Sequence, residues 1–300
     1  MAADGRPPKL HHGEADIDAD LVGRLVATQF PELRHLPVRE VRSTGTVNAI
    51  YRLGDRLYAR LPRVRRWVGD LATEWRWLPV LGPRLSLEVP EPVARGRPGS
   101  SYLFGWAIYR WIDGRPYADE LVDDEGRAAR ALARFVAELR RVDPAGAPRA
   151  GRAPLPELDA DTRAAIASAR DVLDGDAATA AWERALQAPA WSGPPVWIHS
   201  DLLRPNLLVR GGRLRAVIDF GAAGAGDPAA DVIAAWSVFG PSGRAVFRRV
   251  LGVDDDTWER ARGYALHQAA LIIPYYAETN PGFVASARRT VDQVLADAGP

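Results

Sequence analysis

The sequence predicts an α+β chain in two lobes, a small β-rich N-lobe followed by a larger, mainly helical C-lobe. Three observations carry this. Between Val38 and Arg63, short alternating runs are separated by turn signals. From about Gly114 onward the apolar spacing becomes helical. Strand signals then return only in PPVWIHSD and NLLVRGGRLRAVIDFG. The expected division is a loose tail over 1–17, an N-lobe over 18–112 and a C-lobe over 113–300, within the usual range of domain sizes.

Taken in order, Leu21, Val22, Leu25, Val26 and Phe30 share one helical face, with Asp20 placed to cap the helix and Pro31 to stop it. PVREVRSTGTVNAIYRLGDRLYARLP then reads as strand, turn over Ser43–Asn48, strand, Gly54-Asp55 turn, strand. A helix over Val68–Leu81 is ended by Gly82-Pro83. VPEPVARGRPGS is broken by Pro and Gly, and SYLFGWAIYRWIDG is a strand or strand pair running into a turn. Leu132, Phe135, Val136 and Leu139 mark a helix that ends before Pro144, and helical patterns resume after the loop at 145–158. Gly211-Gly212 joins two strands in a hairpin, and the remainder is mostly helical.

Composition removes several functions. Lys+Arg number 39 against Asp+Glu 38, a net charge of +1, which argues against broad nucleic-acid binding. There is no Cys, so disulfides, thiolate nucleophiles and Cys-ligated metals are excluded. The first twenty residues hold no apolar signal segment and no apolar run has spanning length, so a cytoplasmic, membrane-free protein is expected. His11 and His12 form an isolated pair in the tail. Lys9 is the only lysine, so any cation within the folded part must be arginine.

The strongest chemical signal is His199-Ser-Asp201-Leu-Leu-Arg-Pro-Asn206, followed across a short hairpin by Asp219-Phe-Gly. This is the form of a kinase catalytic loop and its metal-binding partner segment. Phosphoryl transfer needs an aimed hydroxyl and neutralised phosphates more than covalent chemistry. Asp201 suits the acceptance or orientation of a hydroxyl proton, Asn206 and Asp219 supply hard oxygens for Mg²⁺, and His199 would hold the loop. Turn formation by Asp201 and Asn206 would explain either half of the motif alone, but not both halves with a hairpin between.

The run VWIHSDLLRPNLLV…AVIDFGAAGAGDPAAD resembles the aminoglycoside phosphotransferase family of antibiotic and small-metabolite kinases. STGTVNAIYRL, LPR, EWRWLP, IYRWIDG and PYYAETNP extend the likeness over nearly the whole chain from about Asp18. The resemblance implies a bilobal protein-kinase-like fold, ATP or GTP as donor and a hydroxylated small molecule as acceptor. It makes Asp201 the catalytic base and Asn206 and Asp219 the metal ligands, and it gives Asp227 and Asp231 a structural role bracing the loop. Two positions depart from the family pattern. Ser200 stands where Gly is usual, and Arg204-Pro205 where Pro-Gly is usual, which opens a phosphate or substrate contact for Arg204.

On the nucleotide side, Arg60 in LYARLPR occupies the place of the phosphate-binding lysine of kinases. Glu74 shares a helix flank with Leu71, Trp75 and Leu78 and has no basic residue three or four positions away. An inward carboxylate of this kind requires a distant cation, and Arg60 is the expected partner. Ser43, Thr44 and Gly45 form a candidate phosphate loop, which an ordinary hairpin turn would equally resemble. Tyr109 and Trp111 lie on the expected purine-binding hinge. For the acceptor, Trp236, Tyr275, Tyr276 and Glu278 lie downstream, where the family builds its pocket, although aromatics at helical spacing are more often core. The low net charge leaves nucleoside, macrolide-type and sugar-like acceptors beside aminoglycosides. A nucleotide-binding pseudokinase and a kinase of a primary metabolite are the alternatives. A protein kinase is disfavoured because no Ala-Pro-Glu segment follows Asp219 and little room remains for an activation loop. Either a monomer or a homodimer is compatible with the sequence.

Overall fold

The computed structural model describes residues 13–41 and 47–298. His11, His12 and most of the expected tail lie outside the described residues, as do Ser43, Thr44 and Gly45 of the candidate phosphate loop. The chain divides into two compact units. The first holds 1–83, 88–113 and the short segment Asp219–Gly221; the second holds 84–87, 114–218 and 222–300.

In the first unit, helix α1 (Ala19–Gln29) starts at Asp18, whose carboxylate accepts the Leu21 amide at 2.7 Å. Asp18 therefore caps the helix, and Asp20, the expected cap, lies within its first turn, where its charge complements the helix dipole. Strands β1 (Val38–Glu40), β2 (Asn48–Leu53), β3 (Leu57–Pro62), β4 (Pro92–Gly96) and β5 (Trp106–Arg110) form an antiparallel sheet in the order β1-β2-β3-β5-β4. Helix α2 (Val68–Leu81) buries Leu71, Glu74, Leu78 and Leu81. The core joins Leu21, Val22, Leu25 and Val26 to Tyr51, Leu53, Leu61, Trp106 and Ile108. Strand β4 lies in the Pro/Gly-broken stretch that gave no strand signal. Its Gly96 is fixed by packing, because a Cβ there would fall 2.1 Å from the Trp106 ring.

The second unit contains β6 (Arg115–Pro116), α3 (Glu125–Arg140), α4 (Asp159–Ser168), α5 (Gly175–Ala185) and β7 (Val196–Ile198). It continues with β8 (Leu207–Arg210), β9 (Arg213–Val217), β10 (Gly224–Gly226), α6 (Ala229–Val232) and α7 (Ala234–Ser237). It closes with α8 (Pro241–Leu251), α9 (Asp255–Tyr275) and α10 (Pro281–Ala298). Strands β6, β8 and β9 form one small sheet and β7 pairs with β10 in another. Gly211 and Gly212 turn the β8–β9 hairpin at φ +56° and +70°, the left-handed region such a tight turn demands. Helix α9 is the hub, packed by α4, α5, α6, α7 and α10. Among the described residues no helix is long and apolar enough to cross a membrane.

On α9, His267 is 7% exposed, and its Nδ1 meets the Thr162 hydroxyl at 2.8 Å. Burial, reinforced by Arg152, pushes its pKa down to about 4 from the usual 6.5. The folded protein therefore keeps His267 neutral where the unfolded chain takes up a proton. Its contribution to stability is complete above pH 6.5 and is lost as pH falls toward 4. Urea unfolding should show the stability of His267→Phe falling less steeply than wild type in that window, by up to about 1.4 kcal/mol per pH unit.

Candidate active site

In the first unit, the register of β3 sets Arg60 opposite Ile50 on β2 and Ala107 on β5. Its guanidinium is almost enclosed, at 4% exposure. Nη1 donates to Glu74 Oε1 at 2.6 Å and Nη2 to Asp219 Oδ1 at 2.6 Å, so the ion pair expected between Arg60 and Glu74 is present. With the Asn48 amide turned so that its oxygen faces the guanidinium, that oxygen accepts from Nη2 at 2.8 Å and Nε at 3.0 Å. Glu74, fully buried, also accepts the Phe220 amide on Oε1 at 2.8 Å and the Tyr109 hydroxyl on Oε2 at 2.7 Å.

Burial alone would lower the Arg60 pKa, but Asp219 and Glu74 outweigh it and hold the group well above its ordinary value. Burial drives Glu74 upward, against the opposing pull of Arg60. Asp70, one turn before Glu74, is pushed up to about 6 by burial, with Asp219 and Glu74 adding to the effect against Arg60. Tyr109 is wholly buried and stacks on Tyr58, so its side chain braces Glu74. Trp111 lies under the Arg52 guanidinium and donates from Nε1 to Asp113.

In the second unit, the segment after β7 carries the catalytic-loop motif. Asp231, with no exposed surface, accepts the His199 amide at 2.9 Å and the Ser200 amide at 2.8 Å. Burial raises its pKa against the effect of His199 and these bonds. His199 Nε2 meets the Ile218 carbonyl at 3.1 Å, and the Ile218 amide donates to Asn206 O at 2.9 Å. Ser200 takes φ +72°, so this serine adopts the conformation that favours glycine. Asp219 in the first unit does the same at φ +68°.

Asp201 is gripped on both oxygens. Asn206 Nδ2 donates to Oδ2 at 2.8 Å and to the Asp201 carbonyl at 3.0 Å, and Gln268 Nε2 on α9 donates to Oδ1 at 3.0 Å. Since the Asn206 amide nitrogen is committed to Asp201, its oxygen is directed elsewhere and suits a hard cation. Among the described residues no cluster of three or more His, Cys, Asp or Glu groups forms a metal cage. A side-chain amide oxygen is a hard donor of the kind that Mg²⁺ accepts beside phosphates and water. Asp227 pairs with Arg260 at 3.0 Å and receives the Ala229 amide.

The acceptor candidates separate. Arg204 is taken up by the Val238 carbonyl and by Asp119 at 2.6 Å, with its guanidinium over the Tyr117 ring. Trp236 has no exposed surface, packs at a tilt against Trp258 and donates to Asp297, which makes it core instead of a substrate-touching residue. Tyr275 is 56% exposed against a buried Tyr276, and Glu278 is exposed. A cavity beside the catalytic loop is lined by Leu203, Arg204, Ile272, Phe283, Ser286 and Gln268, among others. Gln268 is thus shared between this cavity and Asp201. Sequence reasoning missed Gln268, one polar residue in an alanine-rich helix. It also missed Asn48, although the hairpin register sets Asn48 opposite Pro62, diagonal to Arg60. Arg152, whose buried Nη1 has no acceptor among the described residues, lies within electrostatic reach of Asp201 and carried no signal in its Pro/Ala/Gly loop.

A β-sheet unit, a helical unit and a kinase-type catalytic loop define a phosphotransferase of the protein-kinase-like α+β class. Residues 39–264 match the profile of the phosphotransferase enzyme family (APH), and the chain belongs to that family. Among solved structures it is similar to the GDP and kanamycin complex of APH(2")-IIia, with TM-score 0.74 and 19% identity over 92% of this chain and 99% of that one. It is similar also to the GDP complex of aminoglycoside 2'-phosphotransferase-IIIa, with TM-score 0.71 and 18% identity over 94% and 99%. The macrolide 2'-phosphotransferase MphH from Brachybacterium faecium gives TM-score 0.59 and 21% identity over 92% and 98%. At these identities the likeness establishes a common fold. No curated protein sequence matches the chain.

The buried brace yields two expected outcomes in urea unfolding. Asp231→Ala leaves two loop amides without an acceptor and should cost about 2–5 kcal/mol. Ser200→Gly removes the left-handed strain and should stabilise by about 1 kcal/mol, whereas a bulkier Ser200→Val should destabilise.

Proposed function

We propose that this chain transfers the terminal phosphoryl group of ATP or GTP to a hydroxyl of a small, neutral acceptor of the antibiotic or hydroxylated-metabolite type. The observation that carries this reading is the Asp201 carboxylate, fixed on both oxygens by Asn206 and Gln268 at the margin of a mostly apolar cavity. In the proposed step the acceptor oxygen attacks the γ-phosphorus as its proton passes to Asp201, and the bond from phosphorus to the bridging β–γ oxygen breaks, releasing the nucleoside diphosphate. From the motif, Asn206 and Asp219 are each proposed as an oxygen ligand for Mg²⁺. When bound, Mg²⁺ would supply neutralisation of phosphate charge. His199, Asp227 and Asp231 act by holding the loop.

The acceptor class rests on charge. Among the described residues lining the cavity there is no carboxylate; the ionised member is Arg204, and Arg152 lies on the Asp201 side. Arg204 is already paired with Asp119, and beyond Asp201 at its margin the lining offers a polycation no carboxylate, which favours a macrolide-type, nucleoside or sugar-like acceptor. The structural neighbours include both aminoglycoside and macrolide phosphotransferases, so fold likeness does not choose between them.

The test incubates the protein with labelled ATP or GTP and Mg²⁺ against a panel of neutral and polycationic hydroxylated antibiotics. Neutral acceptors should be phosphorylated with kcat/KM at least about tenfold above kanamycin, a difference of about 1.4 kcal/mol in transition-state stabilisation. A preference for the polycation would overturn the acceptor class. Asp201→Asn should lower kcat by about 10²–10⁴-fold with folding unchanged, and near-wild-type turnover would remove Asp201 from the role of base. Metal-dependent nucleotide binding with no transfer to any acceptor would instead identify a pseudokinase.

A further inference from the structure

We propose that Arg60 is a positioning residue, which presents Asp219 to the metal, and that its guanidinium is not the nucleotide's phosphate-binding cation. The inference rests on the role of Asp219 proposed above. A guanidinium has five N–H donors in a planar fork. Here Glu74 takes one from Nη1, Asp219 takes one from Nη2, and the Asn48 oxygen draws on Nη2 and Nε. Four donors are therefore used within the protein, and the residue is 4% exposed. Among the described residues one donor is left for a ligand, against the several that a cation cradling two phosphates would bring.

Glu74 has further donors in the Phe220 amide and the Tyr109 hydroxyl, so it can anchor the guanidinium from behind. Asp219 stands with its backbone at φ +68°, a conformation unfavourable for a side-chain-bearing residue, and Arg60 fixes its Oδ1 at 2.6 Å. The order of support runs from Tyr109 to Glu74, to Arg60, to Asp219. Asn48 sets the rotation of the fork by gripping its Nε edge. Lysine cannot replace this arrangement, because three donors on one nitrogen do not span two carboxylates and an amide in a plane. The arginine at this position is thus a consequence of what it must hold. Its role is that of an outer residue that orients a metal ligand.

The proposal separates metal-dependent from metal-independent nucleotide binding. Calorimetry with ADP is carried out in Mg²⁺ and in EDTA, and Mn²⁺ binding is followed by electron paramagnetic resonance. Arg60→Lys keeps the charge and should leave metal-free ADP affinity within about twofold, while Mg²⁺-dependent enhancement and Mn²⁺ affinity fall about 10–100-fold. A parallel loss of affinity with and without metal would assign Arg60 to the phosphates and overturn the proposal, as would unchanged metal binding. Thermal unfolding checks that the variant is folded. If it is not, Asn48→Ala decides, since it keeps every charge and removes only the acceptor at the Nε edge. It should lower metal-dependent enhancement about fivefold with metal-free affinity retained, and either no change or a parallel loss would overturn the proposal. Wild-type protein without any metal-dependent enhancement would refute the assigned metal ligand itself. Normal wild-type enhancement with an unaffected Arg60→Lys would refute only the role of Arg60.

Discussion

A carboxylate removed from water must be surrounded by donors, and each unit of this protein is arranged around one such group. Glu74 gathers a guanidinium, a phenol hydroxyl and the backbone amide of Phe220. Asp231 gathers the successive amides of His199 and Ser200. In each case backbone amides of a motif segment are among the donors, so satisfying the buried charge also fixes the backbone there. The desolvation penalty is large enough that a half-satisfied arrangement would be costly, and this makes the geometry specific.

The fold was legible where one force dominated the local sequence. Turn glycines and apolar spacing located α2, α3 and the β8–β9 hairpin because burial and turn chemistry agreed there. Strands β4 and β10 were not legible, since Pro92–Gly96 and Gly224–Gly226 hold their places through neighbouring strands and tight packing more than through β propensity.

The site was legible to the extent that spacing along the chain implied contact. Glu74 could be assigned a distant cation because its helix offered none, and the motif spacing brought Asp201 and Asn206 to one carboxylate–amide bond. Gln268 and Arg152 reach Asp201 from regions 67 residues after it and about fifty before it, and no local pattern records such a meeting. Trp236 erred in the other direction. Its helical setting matched a pocket and a core equally, and two flanking arginines with Trp258 close it off. Ser200 reads as a departure from a glycine pattern, yet the loop keeps the left-handed backbone and accepts the strain.

Arginine at position 60 also changes how this enzyme can be detected and targeted. Activity-based probes that acylate a kinase through a nucleotide acyl phosphate need a nucleophilic amine beside the phosphates. A guanidinium stays protonated and does not acylate, and Lys9 is the only side-chain amine in the sequence. Lysine-directed covalent inhibitors and probes that rely on an amine at this strand position would therefore find none at residue 60.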